Sequence, residues 1–77
     1  MKLPNKLDLH GTRHVDVFGE VDRFVGGHII EMKYNSLEIV TGHSQKMKEL
    51  VLSTISDYGL TAEVPPNNRG TLIVTLI

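Results

Sequence analysis

A strand that passes straight into a helix is written in residues 36–47, Ser36-Leu37-Glu38-Ile39-Val40-Thr41-Gly42-His43-Ser44-Gln45-Lys46-Met47. Leu37, Ile39 and Val40 supply aliphatic side chains for an extended segment predicted over residues 36–41, and Gly42 ends it. Beyond the loop the apolar residues change to helical spacing, with Met47, Leu50, Val51, Ile55 and Tyr58 on one face. A helix is predicted over residues 45–58, and Gly59 is placed to close its C-terminus.

Working outward, the same alternation of elements recurs. Residues 7–11, Leu7-Asp8-Leu9-His10-Gly11, alternate apolar and polar side chains like a strand that ends on a glycine. A helix is predicted from His14 to Met32, with Val17, Phe18, Val21, Phe24, Val25 and Ile29 as its apolar stripe. Gly26 and Gly27 interrupt it at about 1 kcal/mol each relative to alanine, so the helix kinks or ends there, or it packs closely against another backbone. Downstream, Thr61 to Val64 is a short strand stopped by Pro65-Pro66. The turn Asn67-Asn68-Arg69-Gly70 then leads into a last strand, Thr71 to Ile77. The order β-α-β-α-β-β predicts an α/β two-layer sandwich. Right-handed crossovers make the first three strands parallel and put both helices on one face, and the final turn makes the last strand antiparallel, giving a mixed four-stranded sheet with one face partly open.

Seventy-seven residues with 40% hydrophobic content hold one domain and one modest core. The absence of cysteine excludes disulfides and thiolate metal sites, which suits a reducing cytosol. No run has the length of a membrane span, and Met1 to Lys6 lack the apolar centre of a secretion signal, so a cytoplasmic protein is expected. A net charge of −1 argues against bulk-electrostatic gripping of nucleic acid. Charge is nonetheless polarised: Lys2, Lys6 and Arg13 make the start basic, Asp16, Glu20, Asp22 and Glu31 make the first helix acidic, and Lys46, Lys48 and Arg69 lie near strand ends. Scattered solvated charges would look the same.

On a strand, Asp8 and His10 share one face while Leu7 and Leu9 share the other, so the carboxylate is spaced to orient the imidazole. Gly11 lets the chain turn and leaves the histidine at the strand end. Taken alone, the pair fits a structural histidine beside a surface carboxylate better than it fits catalysis. The loops Gly11-Thr12-Arg13 and Gly42-His43-Ser44 should emerge together at the carboxyl ends of the strands, the usual site in open α/β sheets. There the amides of residues 41–44 and the positive end of the helix dipole suit a phosphate, although for this tetrapeptide alone a plain turn with Ser44 or His43 capping the helix is the favoured reading. His10 and His43 find no third metal ligand by spacing, so neither metal nor cofactor is expected. His14 and His28 read as exposed or capping residues, Met47 as core, and Tyr34 as a cover for the core.

Three motifs together resemble the small MutS-related (Smr) domain, in order and spacing, over residues 7–76: Leu7-Asp8-Leu9-His10-Gly11, Ile39-Val40-Thr41-Gly42-His43, and Arg69-Gly70-Thr71 before Val74-Thr75-Leu76. The family's Asp-x-His signature falls on Asp8, Leu9 and His10. Its HGxG or TGxG loop falls on Thr41 to Ser44, with Ser44 in place of the second glycine, and its later Gly-Gly-x-Gly-Ala turn appears as Asn67-Asn68-Arg69-Gly70-Thr71. The resemblance implies a single Smr-like domain over residues 1–77, a fold similar to the C-terminal domain of translation initiation factor three, and nucleic-acid endonuclease activity, including cleavage of messenger RNA at stalled ribosomes. The motifs hold no acidic cluster of the kind that binds two magnesium ions, and RNA supplies its own 2′-hydroxyl nucleophile. The expectation is metal-independent cleavage, RNA favoured over DNA, with His10 handling the proton and Asp8 orienting it. Gly11, Arg13, Thr41, Gly42, His43, Ser44, Lys46, Arg69 and Gly70 form the nucleic-acid contact, the phosphate held chiefly by the amides of residues 42–44. The alternative is a noncatalytic module of this fold that occupies RNA, DNA or a ribosomal site in competition with larger relatives.

Overall fold

The computed structural model describes residues 4–76. In chain order the elements are β1 (Lys6–Asp8), α1 (His14–Glu31), β2 (Ser36–Val40), α2 (Gln45–Asp57), β3 (Thr61–Glu63) and β4 (Thr71–Thr75). They form a four-stranded mixed sheet in the order β1-β2-β4-β3. β1 and β2 are parallel, and β4 is antiparallel to both its neighbours, so β3 runs with the first two strands as expected. The expected strand orientations hold, and β4 enters between β2 and β3. Composition explains the placement. β4 carries Leu72 and Val74, which are fully buried opposite Ile39 and Leu37, whereas β3 offers only Thr61, Ala62 and Glu63 and takes the edge.

Strand alternation sorts the side chains. Leu9, Leu37, Ile39, Leu72 and Val74 join Val17, Val21 and Val25 of α1 and Met47, Val51 and Ile55 of α2 in one core, so both helices cover the same face. On the other face Lys6, Glu38, Ile73 and Glu63 stand in register, and Lys6 Nζ lies 3.9 Å from Glu38 Oε2.

α1 runs unbroken through Gly26 and Gly27, so the glycine pair neither kinks nor ends it. A Cβ at Gly26 would stand 3.5 Å from the Tyr58 hydroxyl, which donates to the Asp22 carbonyl oxygen at 3.2 Å and to the Asp22 carboxylate. The helix ends at Met32, left-handed at φ 56°, whose N–H reaches the His28 carbonyl at 2.9 Å. Two expectations for α1 need correction. Phe18 is 59% and Ile29 37% exposed, because the buried arc is centred on Val17, Val21, Val25 and His28, and Phe18 lies about 100° round the helix from Val17. His28, read as exposed or capping, is 1% exposed. Its Nε2–H donates to the Pro4 carbonyl at 2.6 Å, and its ring meets Phe24 and Tyr34 edge-on at centroid distances of 4.9 and 5.6 Å.

α2 is capped by Ser44, whose Oγ accepts from the Met47 N–H at 3.1 Å, and beyond Tyr58 the chain turns away at Gly59, left-handed at φ 73°, with Leu60 N–H reaching back to the Ile55 carbonyl. β3 ends at Glu63, just before Val64-Pro65-Pro66, and the predicted extension of β4 to Ile77 lies outside the described residues. Among the described residues no helix is long and apolar enough to cross a membrane.

Candidate functional site

Parallel pairing of β1 with β2, Lys6 opposite Glu38 and Asp8 opposite Val40, brings the carboxyl ends of both strands to one edge. The Leu9 N–H extends the ladder to the Val40 carbonyl at 2.8 Å, and the buried Leu9 side chain anchors the strand end to the core. Alternation then turns Asp8 and His10 outward, and both are exposed. Gly11, at φ 85°, reverses the chain, and Thr12 N–H closes the turn on the Leu9 carbonyl at 2.9 Å.

The carboxylate does not orient the ring as expected. Asp8 Oδ1 accepts from the backbone N–H of His10 at 2.9 Å, and among the described residues nothing hydrogen-bonds the imidazole. Asp8 fixes where the His10 backbone stands. The ring itself stands beside the second motif: a Cβ built at Gly42 would be 3.6 Å from His10 Cδ2, and Gly42 has φ 70°. A side chain there would carry the left-handed penalty, with its Cβ in ordinary contact with the imidazole.

The third motif closes on the same glycine. The amides of Thr41 and Gly42 both donate to the Gly70 carbonyl, at 2.9 and 3.0 Å, and a Cβ at Gly70 would stand 3.5 Å from Gly42 Cα. Thr41 is buried, its hydroxyl donating to the Gly42 carbonyl at 2.9 Å. Gly70 N–H donates to the Asn68 side chain at 3.3 Å. Two expected phosphate contacts are thereby corrected: the Gly42 amide is engaged by β4's lead-in, and Thr41 braces the loop from inside. The donors left at the edge are the amides of His43, Ser44 and Gln45, from which none of the described residues accepts. Ser44 has extended backbone at φ −72° and caps α2, so the serine in place of a glycine costs the loop no strain.

The predicted cations divide in two. Arg13 stands just before α1 with Nε 3.0 Å from Asp16 Oδ2, and it lines an open groove of about 460 Å³ with Gly11, Thr12 and Arg23, the last paired with Glu20 at 3.1 Å. Lys46 and Arg69 are exposed, and no carboxylate of the described residues pairs with either. Gln45, Lys48, Leu52 and Val64 were not among the predicted contacts, yet with Arg69 and Leu72 they line a second groove of about 270 Å³. The legible signal was the i, i+3, i+7 row of residues 45, 48 and 52 along one flank of α2, about 60–120° round the helix from Val51. Among the described residues no three His, Asp or Glu side chains converge as metal ligands. Set against known protein families, curated proteins and solved structures, the chain matches none of them.

Proposed function

We propose that the chain is an Smr-like endonuclease that cleaves single-stranded RNA through His10, with DNA nicking the lesser activity. One observation carries this reading: an exposed imidazole beside Gly42, next to the unengaged amides of residues 43–45 and the unpaired cations Lys46 and Arg69. An RNA phosphate held by those amides, with Gly11, His43 and Arg13 at its margins, brings the adjacent ribose to His10. The imidazole takes the 2′-hydroxyl proton, the 2′-oxygen attacks phosphorus as the bond to the 5′-oxygen breaks, and the 5′-oxygen leaves with a proton from water while the imidazolium returns its own to solvent, which yields a 2′,3′-cyclic phosphate. Amides and cations stabilise the charge that grows on the phosphoryl oxygens. The side chains at this edge suit acid–base work without a metal. Messenger RNA on ribosomes in the cytoplasm is the setting that the Smr resemblance implies, and the β-α-β-α-β-β order supports the likeness to the C-terminal domain of translation initiation factor three.

A second reading is favoured by one specific contact, the Asp8 carboxylate on backbone instead of ring. It makes the chain a binding module without catalysis. End-labelled RNA and DNA incubated with and without EDTA separate the two. The nuclease reading expects RNA cutting that survives EDTA and falls at least about 100-fold in His10→Ala, with RNA affinity and thermal unfolding unchanged. RNA binding without cutting selects the module, and unfolding of His10→Ala assigns the histidine to structure.

A further inference from the structure

We infer that the groove between the outer side of α2 and the turn before β4 seats the base of a nucleotide neighbouring the one at His10, so that single-stranded RNA crosses the molecule from His10 towards Leu52. The inference rests on the RNA reading and adds a second position to it. The groove has an apolar floor, with Leu52 and Val64 open to solvent at 39% and 41% and the buried Leu72 beneath, and a cationic rim of Lys48 and Arg69. That pairing of flat apolar surface with positive charge matches what a nucleotide presents, a base face and a phosphate.

Charge sets this groove apart. No carboxylate lines it, and none of the described residues pairs with Lys48 or Arg69. In the groove beside α1, by contrast, Arg13 and Arg23 are already neutralised by Asp16 and Glu20. The mainly apolar hollow bounded by Pro4, Leu7, Phe24 and His28 has its one cation, Arg23, in the same ion pair.

Position makes the second argument. Arg69 immediately precedes Gly70, whose carbonyl accepts from the Gly42 amide, and a Cβ at Gly42 would stand 3.6 Å from His10 Cδ2. Arg69 at the groove therefore adjoins the residue whose carbonyl holds the loop beside His10. Gln45 lies at both, as the first residue of α2 and as part of the groove. A strand whose phosphate sits at residues 43–45 thus runs past Gln45 into the groove, where Leu52 and Val64 receive a neighbouring base.

The test uses a single-stranded oligonucleotide of about twelve nucleotides, 2′-O-methylated throughout so that binding is read apart from cleavage. Lys48→Ala should weaken binding about 10-fold and reduce the slope of log affinity against log salt by about 0.7. Leu52→Ser should weaken binding about 5-fold or more, as loss of base contact does, with the slope unchanged. Both are surface changes, and unfolding temperature checks that the fold is retained. Methyl NMR shifts of Leu52 and Val64 on adding the oligonucleotide supply an independent readout. Equal binding by wild type and both variants, no binding by wild type, or equal displacement by an oligoglutamate peptide would each overturn the inference. If the variants weaken binding but wild type never cuts RNA, the groove stands and the nuclease reading falls. If wild type cuts and the variants bind unchanged, the reverse holds.

Discussion

The carboxylate of Asp8 ends on the amide of its own second neighbour, and this changes what its removal should do. An acceptor that holds backbone needs an oxygen, not a charge. Asp8→Asn keeps that oxygen, so its cleavage should stay within about 10-fold of wild type with unchanged unfolding. Asp8→Ala should lose about 1 kcal/mol of stability in urea titration and most of the cutting, as the His10 turn loosens. Equal loss in both variants would show that the negative charge itself is the working part. Alternation of apolar and polar residues was enough to place Asp8 and His10 on the outer face, because a strand has only two faces. The partner of the carboxylate was not legible, since it depends on the turn that Gly11 makes at φ 85°. The engaged Gly42 amide was hidden for a different reason: its acceptor, Gly70, is far along the chain and arrives only with β4.

Helix α1 shows where local rules suffice and where they give way. Val17, Val21 and Val25 were readable as a buried stripe, but Phe18 and Ile29 flank that stripe, and only the position of the sheet decides which flank is covered. The glycine pair is carried through because tertiary packing outweighs roughly 2 kcal/mol of propensity. Met32 ends the helix in a conformation that glycine adopts without cost, and its side chain is 62% exposed. Met32→Gly should therefore stabilise the protein by about 0.5–1 kcal/mol, the left-handed penalty relieved less the added freedom of the unfolded chain, read as a raised urea midpoint. At the far end of α2, the hydrogen bond to Asp22, with some loss of hydration and the nearby negative charge, raises the Tyr58 pKa above its ordinary value. The folded chain thus holds this phenolic proton more tightly than the unfolded chain does. Stability from the contact is complete below the unfolded tyrosine value of about 10 and is lost as pH rises through the raised folded value. Unfolding temperature followed into alkali should fall more steeply for wild type than for Tyr58→Phe, and parallel curves would remove the contact from the account.

The sheet order is the part of the whole molecule that chain order does not dictate. A turn between β3 and β4 predicts their antiparallel pairing, which is found, but it leaves open whether β4 lies outside β3 or inside it. Burial decides, because two five-residue strands with aliphatic inner faces, β2 and β4, form the centre, and the three-residue strands β1 and β3 form the edges. The last strand in sequence is therefore a middle strand in space, pairing with β2 along its full length and supplying, through Gly70, the acceptor for the loop beside His10. A stop after Arg69 tests that consequence. It removes Leu72 and Val74 from the core, each worth about 1.5–3 kcal/mol of burial, against a total stability of about 5–15 kcal/mol for a domain. It also leaves β2 and β3 unpaired with each other. The shortened chain should show no cooperative thermal transition by circular dichroism and no cleavage, whereas an outermost β4 would leave a weakened but cooperative fold of the remaining three strands.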